Sequence, residues 1–241
     1  MKTISKLLLL FGVFSYLIFA VVRYSTAAND DQCVGVNIEI ADSAHANLIS
    51  VEDIENKLRH YHQHPVGQPM TDVHPLDIEQ TLERDSFIRH ALCAKTPGER
   101  VRIVIVQRIP LLRIISDNGE NYYIDEEGTC MKAAGYEADL AVATGNIDTA
   151  FAKNQLRQLG AYLRANEFWD NQVEQICVLP NHEIDLVMRV GGQIVHFGKV
   201  ENVERKFRNL YAFYKTILPQ VGWKRYKEIN IAFENQVIGK K

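Results

Sequence analysis

The sequence has no C-x-x-C pair, and its four cysteines, Cys33, Cys93, Cys130 and Cys177, stand 60, 37 and 47 residues apart. That spacing excludes the common zinc and dithiol motifs. In an oxidising compartment four cysteines permit three full pairings, and spacing does not choose among them; buried free thiols are the other expectation. Also missing are G-x-S-x-G, H-E-x-x-H, a Walker loop and G-x-G-x-x-G, which removes the motif-bearing hydrolases, metalloproteases and nucleotide binders. Nor is positive charge in excess: 27 Lys and Arg against 30 Asp and Glu leave a formal net charge of −3, without the basic footprint of nucleic-acid binding. With 46% hydrophobic and 24% charged residues the chain has the composition of a globular body, not of a disordered or fibrous one.

What is present begins with an apolar run. Leu7 to Val22 is sixteen residues without a charge, and counting back to Ile4 with Lys6 snorkelling gives about the 17 to 25 that span a bilayer. Lys2 and Lys6 favour a cytoplasmic N-end of residues 1–6 and place the bulk of the chain outside the cytoplasm. The rival reading is a cleaved signal peptide, since "STAA", Ser25 to Ala28, offers small residues to a peptidase. Phe11, Phe14, Tyr16 and Phe19, with Arg23 and Tyr24 after the run, suit an uncleaved anchor better.

From Cys33 the pattern reads strand, helix, helix, strand, strand. "VGVNIEI" alternates through Val34, Val36, Ile38 and Ile40; Ser50 then caps a helix with Val51, Ile54, Leu58 and Tyr61 on one face. A second helix starts near Pro75, a favoured first position, with Ile78 and Leu82 on its stripe. "FIRHALC" and "RVRIVIVQRIP" follow as strands joined by "KTPGE". Pro110 lacks a ladder donor, so the long strand should end there and the chain should change sheets.

The second half opens with short strands, "PLLRIIS" and "NYYID", turning at "DNGE" and "EEG". A helix follows from about Thr149 to Ala165 with Ala152, Leu156, Leu159 and Leu163 on one face. In "EIDLVMRVGGQIVHFGK" Gly191 and Gly192 read as a two-residue loop, placing Met188 opposite Val195 and Leu186 opposite Phe197. Val203, Phe207, Leu210, Tyr211, Tyr214, Ile217 and Leu218 trace an amphipathic helix ended by Pro219.

Two polar clusters invite a chemical reading. In "RHYHQHP" His60 and His64 share a helix face, but a metal would need His74 or a distant carboxylate to complete its shell; a histidine-rich last turn at the negative end of the helix is the simpler reading. The adjacent carboxylates of Asp125 to Glu127 point to opposite faces and read as a solvated turn.

The chain closes with Ile229, Ile231, Phe233 and Val237 alternating with Asn230, Ala232, Glu234 and Gln236, a half-buried strand that would form a sheet edge. Such an edge can take up another chain's extended segment. The candidate contact residues are Ile229, Ile231, Ala232, Phe233, Glu234, Asn235, Gln236 and Val237, with Trp223 and Tyr226 interleaved among Lys224, Arg225 and Lys227.

"VRIVIVQRIPLLRI" running into "GENYYIDEEGTCM" resembles the junction of the FtsQ/DivIB bacterial cell-division proteins, where a strand ending in an Arg-x-Pro step leads into a "yYiD..G..m" hairpin. "VGQPMTDVHPLDIEQTLERDSFIRHALC" is similar to the family's glycine loop, second helix and following strand, and "INIAFENQVI" to its terminal strand. The resemblance implies an α+β protein: a transmembrane helix at 7–22, a POTRA domain (β-α-α-β-β) at 33–108 and a mixed β domain with flanking helices at 109–241. It implies a non-enzymatic, bitopic scaffold in the inner membrane, without cofactor, holding FtsB/DivIC-like and FtsL-like partners and helping to regulate septal peptidoglycan synthesis. An aromatic matching Phe233 would lie at the partner surface. The tail of residues 1–6 is shorter than in many relatives. Other readings are a POTRA-bearing transport or assembly factor, which should continue into a membrane β-barrel, a secreted binding module cleaved near Ala28, and an envelope enzyme with a convergent polar pocket.

Overall fold

The computed structural model describes residues 11–21, 31–41, 48–133, 138–233 and 235–241. Residues 11–21 form a helix, α1, with apolar side chains such as Phe11 and Phe14 exposed. The rest of the Leu7–Val22 run and the stretch Ser25–Ala28 lie outside the described residues. Among the described residues no helix is long and apolar enough to cross a membrane. The chain divides into two compact units, Met1–Gln107 and Arg108–Lys241.

In the first unit the elements run β1 (Gly35–Ala41), α2 (Val51–His60), α3 (Pro75–Glu83), β2 (Ile88–Thr96) and β3 (Arg100–Gln107). Among the described residues these strands form one sheet in the order β1-β3-β2, with β1 parallel and β2 antiparallel to the central β3. Alternation along β3 buries Val101, Ile103 and Ile105, against which the helices lay Ile54, Leu58, Ile78 and Leu82. Ser50 starts α2 by a reciprocal cap: its hydroxyl accepts from the Asp53 N–H at 3.1 Å, and the Asp53 carboxylate accepts from the Ser50 N–H at 2.8 Å. The buried stripe of α2 is narrower than its spacing suggests. Val51 and Tyr61 are exposed, because Tyr61 already lies beyond the last helical residue and only the middle of this short helix reaches the sheet. His60 ends α2, His62 takes a left-handed conformation (φ 55°) just after it, and among the described residues no group of three or more His, Cys, Asp or Glu could hold a metal ion.

The second unit contains β4 (Pro110–Ser116), β5 (Asn121–Asp125), β6 (Cys130–Lys132), β7 (Val142–Gly145), β8 (Val173–Val178), β9 (Ile184–Met188), β10 (Ile194–Gly198), β11 (Glu228–Asn230) and β12 (Ile238–Lys240). Among the described residues these form one sheet in the order β12-β11-β10-β9-β8-β7-β4-β5-β6. The helical run from Thr149 to Arg164 is α4 (Thr149–Phe151), a wide π turn (Ala152–Leu156) and α5 (Arg157–Arg164); then come α6 (Glu167–Gln172), α7 (Val203–Thr216) and α8 (Leu218–Val221). Their apolar sides join the strands in one core, with Phe207 of α7 among Tyr162, Trp169 and Phe197 at ring-centre distances of 5.1, 4.8 and 5.4 Å.

Three local expectations are corrected in this unit. The β9–β10 pairing sets Leu186 opposite Val195 and Val187 opposite Ile194, and the loop closes where the Met188 N–H reaches the Gln193 carbonyl at 3.2 Å. The loop is thus Arg189–Gly192 and not Gly191–Gly192 alone; the register moves by two, so the same side chains still face the core. The helix α7 ends at Thr216 before Pro219, which lies within α8, leaving Ile217 exposed between them. Asp125 is no solvated carboxylate: it is 4% exposed, accepts from the Glu127 and Thr129 N–H groups, and shares the Arg108 guanidinium (3.0 Å) with Glu127 (2.9 Å). All four cysteines are free thiols; Cys33 and Cys93 are buried, Cys177 is half-buried and Cys130 is exposed.

Candidate partner-binding edge

The closing alternation does not make one strand. β11 ends at Asn230, residues 231–233 leave the sheet, and the chain returns as β12, antiparallel to β11 with Ile229 opposite Gly239. Paired with β10 on one side and β12 on the other, β11 is interior, and the edge is β12. Side-chain hydrogen bonds explain the break. The Asn230 carboxamide accepts from the Ala232 N–H at 2.9 Å, closing a local turn. The Arg205 guanidinium of α7 then donates to the Asn235 side chain at 2.6 Å, holding the loop to the helix.

The candidate residues therefore divide. Ile229 and Ile231 are fully buried in the core and offer no contact surface. Ala232 is half-buried against Gly198, where a Cβ would come within 2.9 Å of the alanine methyl. Phe233, expected on the same face as the two isoleucines, is 54% exposed. Glu234 lies outside the described residues. Asn235, Gln236 and Val237 form one wall of an open groove whose other wall is Arg205, Arg208, Asn209 and Ala212 of α7. Val237 also packs against the core. Trp223 is exposed on one side and meets Tyr214 edge-on at 5.5 Å, and its carbonyl accepts from the buried Gln193 side chain at 2.6 Å. Tyr226 packs on Phe213 at 5.7 Å and lies over Gly239, where any Cβ would meet its ring at 2.7 Å.

Sequence reasoning missed the residues of β12 itself, Ile238, Gly239 and Lys240; Asn235 and Gly239, a turn former and a strand breaker, were the available signals. It also missed a polar row on the sheet face away from the core. His196 of β10 sits with Nδ1 at 2.8 Å from Asp185 of β9 and Nε2 at 3.4 Å from Glu228 of β11, and Glu228 in turn accepts from Lys240 of β12 at 2.9 Å. Burial, the largest single influence, pulls the His196 pKa down, but the Asp185 and Glu228 carboxylates outweigh it and the net shift is upward. Glu228 is held below its ordinary value, first by its hydrogen bond from Lys240 and then by His196. Residues 199–241, the segment that carries the edge, hold ten Lys and Arg against four Asp and Glu, although the whole chain is acidic.

This mixed sheet backed by α5 and α7, preceded by a β-α-α-β-β unit, can be compared with known families. Residues 109–240 match the family model described as FtsQ/DivIB, C-terminal related. The chain belongs to the FtsQ/DivIB family. Residues 31–106 match a POTRA-like domain, the first unit described above. No curated protein matches the chain. An FtsQ/DivIB-type cell-division protein is a member of a non-enzymatic family. In the second unit the described residues bring near one another a strand, β12, with no strand on its outer side among them, the exposed Phe233, and a groove lined by Arg205 and Arg208.

Proposed function

We propose that the protein is a bitopic scaffold of the cell-division machinery, anchored in the inner membrane by Leu7–Val22 with its two units outside the cytoplasm at the division septum. It binds FtsB/DivIC-like and FtsL-like partners and through them helps regulate septal peptidoglycan synthesis. The observation that carries this reading is β12, which has no strand on its outer side among the described residues. An edge of this kind gives backbone hydrogen bonds to an extended partner segment whatever its side chains, and neighbouring side chains then supply specificity. Phe233, Trp223 and Tyr226 are the aromatic candidates for that second role, with Gln236 and Asn235 at the groove and Ile238 exposed on the edge strand.

The test is co-purification of an FtsB/DivIC-like partner from solubilised membranes with the wild-type chain, with Phe233→Ala, and with a chain ending after Val237 that lacks β12. Phe233→Ala should weaken binding by about 2 kcal/mol or more if Phe233 is an interfacial anchor. Loss of β12 should weaken it further, with both variants folded by circular dichroism. Full recovery of the partner with both folded variants would move the docking surface away from this edge.

A further inference from the structure

We propose that His196 is a proton-operated tie that fixes the β11–β12 hairpin, and with it the edge strand, to β10. Any effect on partner docking rests on the function proposed above; the tie itself does not.

The hairpin is held to the sheet by little else in the backbone. The β10–β11 pairing covers three residues, Ile194 to His196 against Glu228 to Asn230, and β11–β12 another three. Across this short ladder lies the side-chain row, one group from each strand. Asp185 faces His196 from β9, Glu228 faces it from β11, and Lys240 of β12 faces it through Glu228; from β8, Cys177 stands opposite Asp185. An imidazolium donates from both nitrogens, so both carboxylates are satisfied at once. A neutral imidazole has one N–H. If it stays on Nδ1 toward Asp185, the lone pair of Nε2 faces the Glu228 carboxylate at 3.4 Å, and an attraction becomes a repulsion. Deprotonation therefore loosens the link between β10 and β11, and Glu228 is left to Lys240 alone.

The sign follows from the raised pKa. The folded state favours the imidazolium, so the stabilisation is complete below the unfolded histidine value of about 6.5 and disappears as pH rises through the folded value. The hairpin is thus tightest in mildly acidic surroundings and loosens toward alkaline ones.

Two amides report the effect, both bonded between β10 and the β11 side: the Ile231 N–H, which donates to the His196 carbonyl at 3.0 Å, and the Ile194 N–H, which donates to the Lys227 carbonyl at 3.0 Å. Their hydrogen-exchange protection factors, measured on the full chain in detergent from about pH 5.5 to about pH 8, should fall about two- to fivefold across the His196 titration. In His196→Gln, which keeps a polar side chain but cannot titrate, they should stay flat. The same step in both proteins, or none in the wild type, overturns the proposal. A direct NMR titration guards against a variant that folds poorly: a His196 midpoint at or below about 6.5 in the wild type would also overturn it. Binding of the partner is measured separately, so a tie that titrates in a protein whose partner docks elsewhere refutes the proposed function and not the tie.

Discussion

Lys206 of α7 is 4% exposed, and its ammonium donates to the carbonyls of Phe197 at 3.0 Å and Lys199 at 2.7 Å while lying 4.6 Å from the centre of the Phe197 ring. These carbonyls flank Gly198, where β10 ends and the chain passes Ala232. Replacing Lys206 with Met keeps an unbranched side chain one heavy atom shorter and removes the ammonium that makes both hydrogen bonds. Hydrogen bonds from a charged group are each worth about 1.5–3 kcal/mol, and a buried carbonyl left without a partner costs about 1–3 kcal/mol. Against this stands the relief of no longer burying an ammonium and the gain of an apolar thioether, together a few kcal/mol in the other direction. The balance for Lys206→Met is a loss of about 2 kcal/mol, or roughly 6 to 10 °C in Tm for a unit of this size. Urea unfolding followed by Trp169 fluorescence measures it, because Trp169 packs 4.8 Å from Phe207, the residue next to Lys206. An unchanged midpoint, with an unchanged slope, would show that the two carbonyls find other donors at no cost and that Lys206 does not organise the end of β10.

Gly160 of α5 lies so close to β4 that a Cβ would stand 2.7 Å from the Leu112 side chain; Gly160→Ala should therefore lower Tm, although the same change in an open helix gains about 1 kcal/mol, and a raised Tm would refute this packing. Ser50→Ala removes the α2 cap and should cost about 1 kcal/mol in chemical denaturation. Because the Ser50 hydroxyl and N–H hold the Asp53 pKa down, the wild type should lose this stabilisation as pH falls below about 4 and the variant should show less of that acid loss; equal acid sensitivity contradicts the cap. Protease added outside intact spheroplasts should digest both units while residues 1–22 stay in the membrane fraction, whereas release of a soluble form beginning near Asn29 would establish a cleaved leader.

Much of the fold was legible because its signals are local. The Ser50 cap, Pro75 at the first position of α3 and the period-2 burial of β3 each follow from residues within a few positions of one another. The core spacing Ala152, Leu156, Leu159 and Leu163 was also legible, but not the π turn that carries it, in which the Arg157 N–H reaches back to the Ala152 carbonyl. What escaped the sequence was decided at a distance. Whether Ile229 to Val237 stays one strand depends on Arg205, 30 residues from Asn235, and on β12 having β11 to pair with. Period-2 alternation cannot see either, so it set Phe233 on one strand face with Ile229 and Ile231. The β9–β10 register likewise depends on Gln193, buried where it donates to the Trp223 carbonyl and accepts from Tyr214. At the candidate site, the exposed aromatics were visible as residues, but the charged row Asp185, His196, Glu228 and Lys240 was not, since it exists only once four strands lie side by side.

A hydrogen-exchange footprint of the complex would decide between the edge and the rest of the surface. With the extracytoplasmic segment of an FtsB/DivIC-like partner added, the amides of Ile238 to Lys240 should slow strongly while those of β6, at the opposite end of the sheet, keep their rates. Protection confined to another surface, with Ile238 to Lys240 exchanging as in the free protein, would contradict docking at β12.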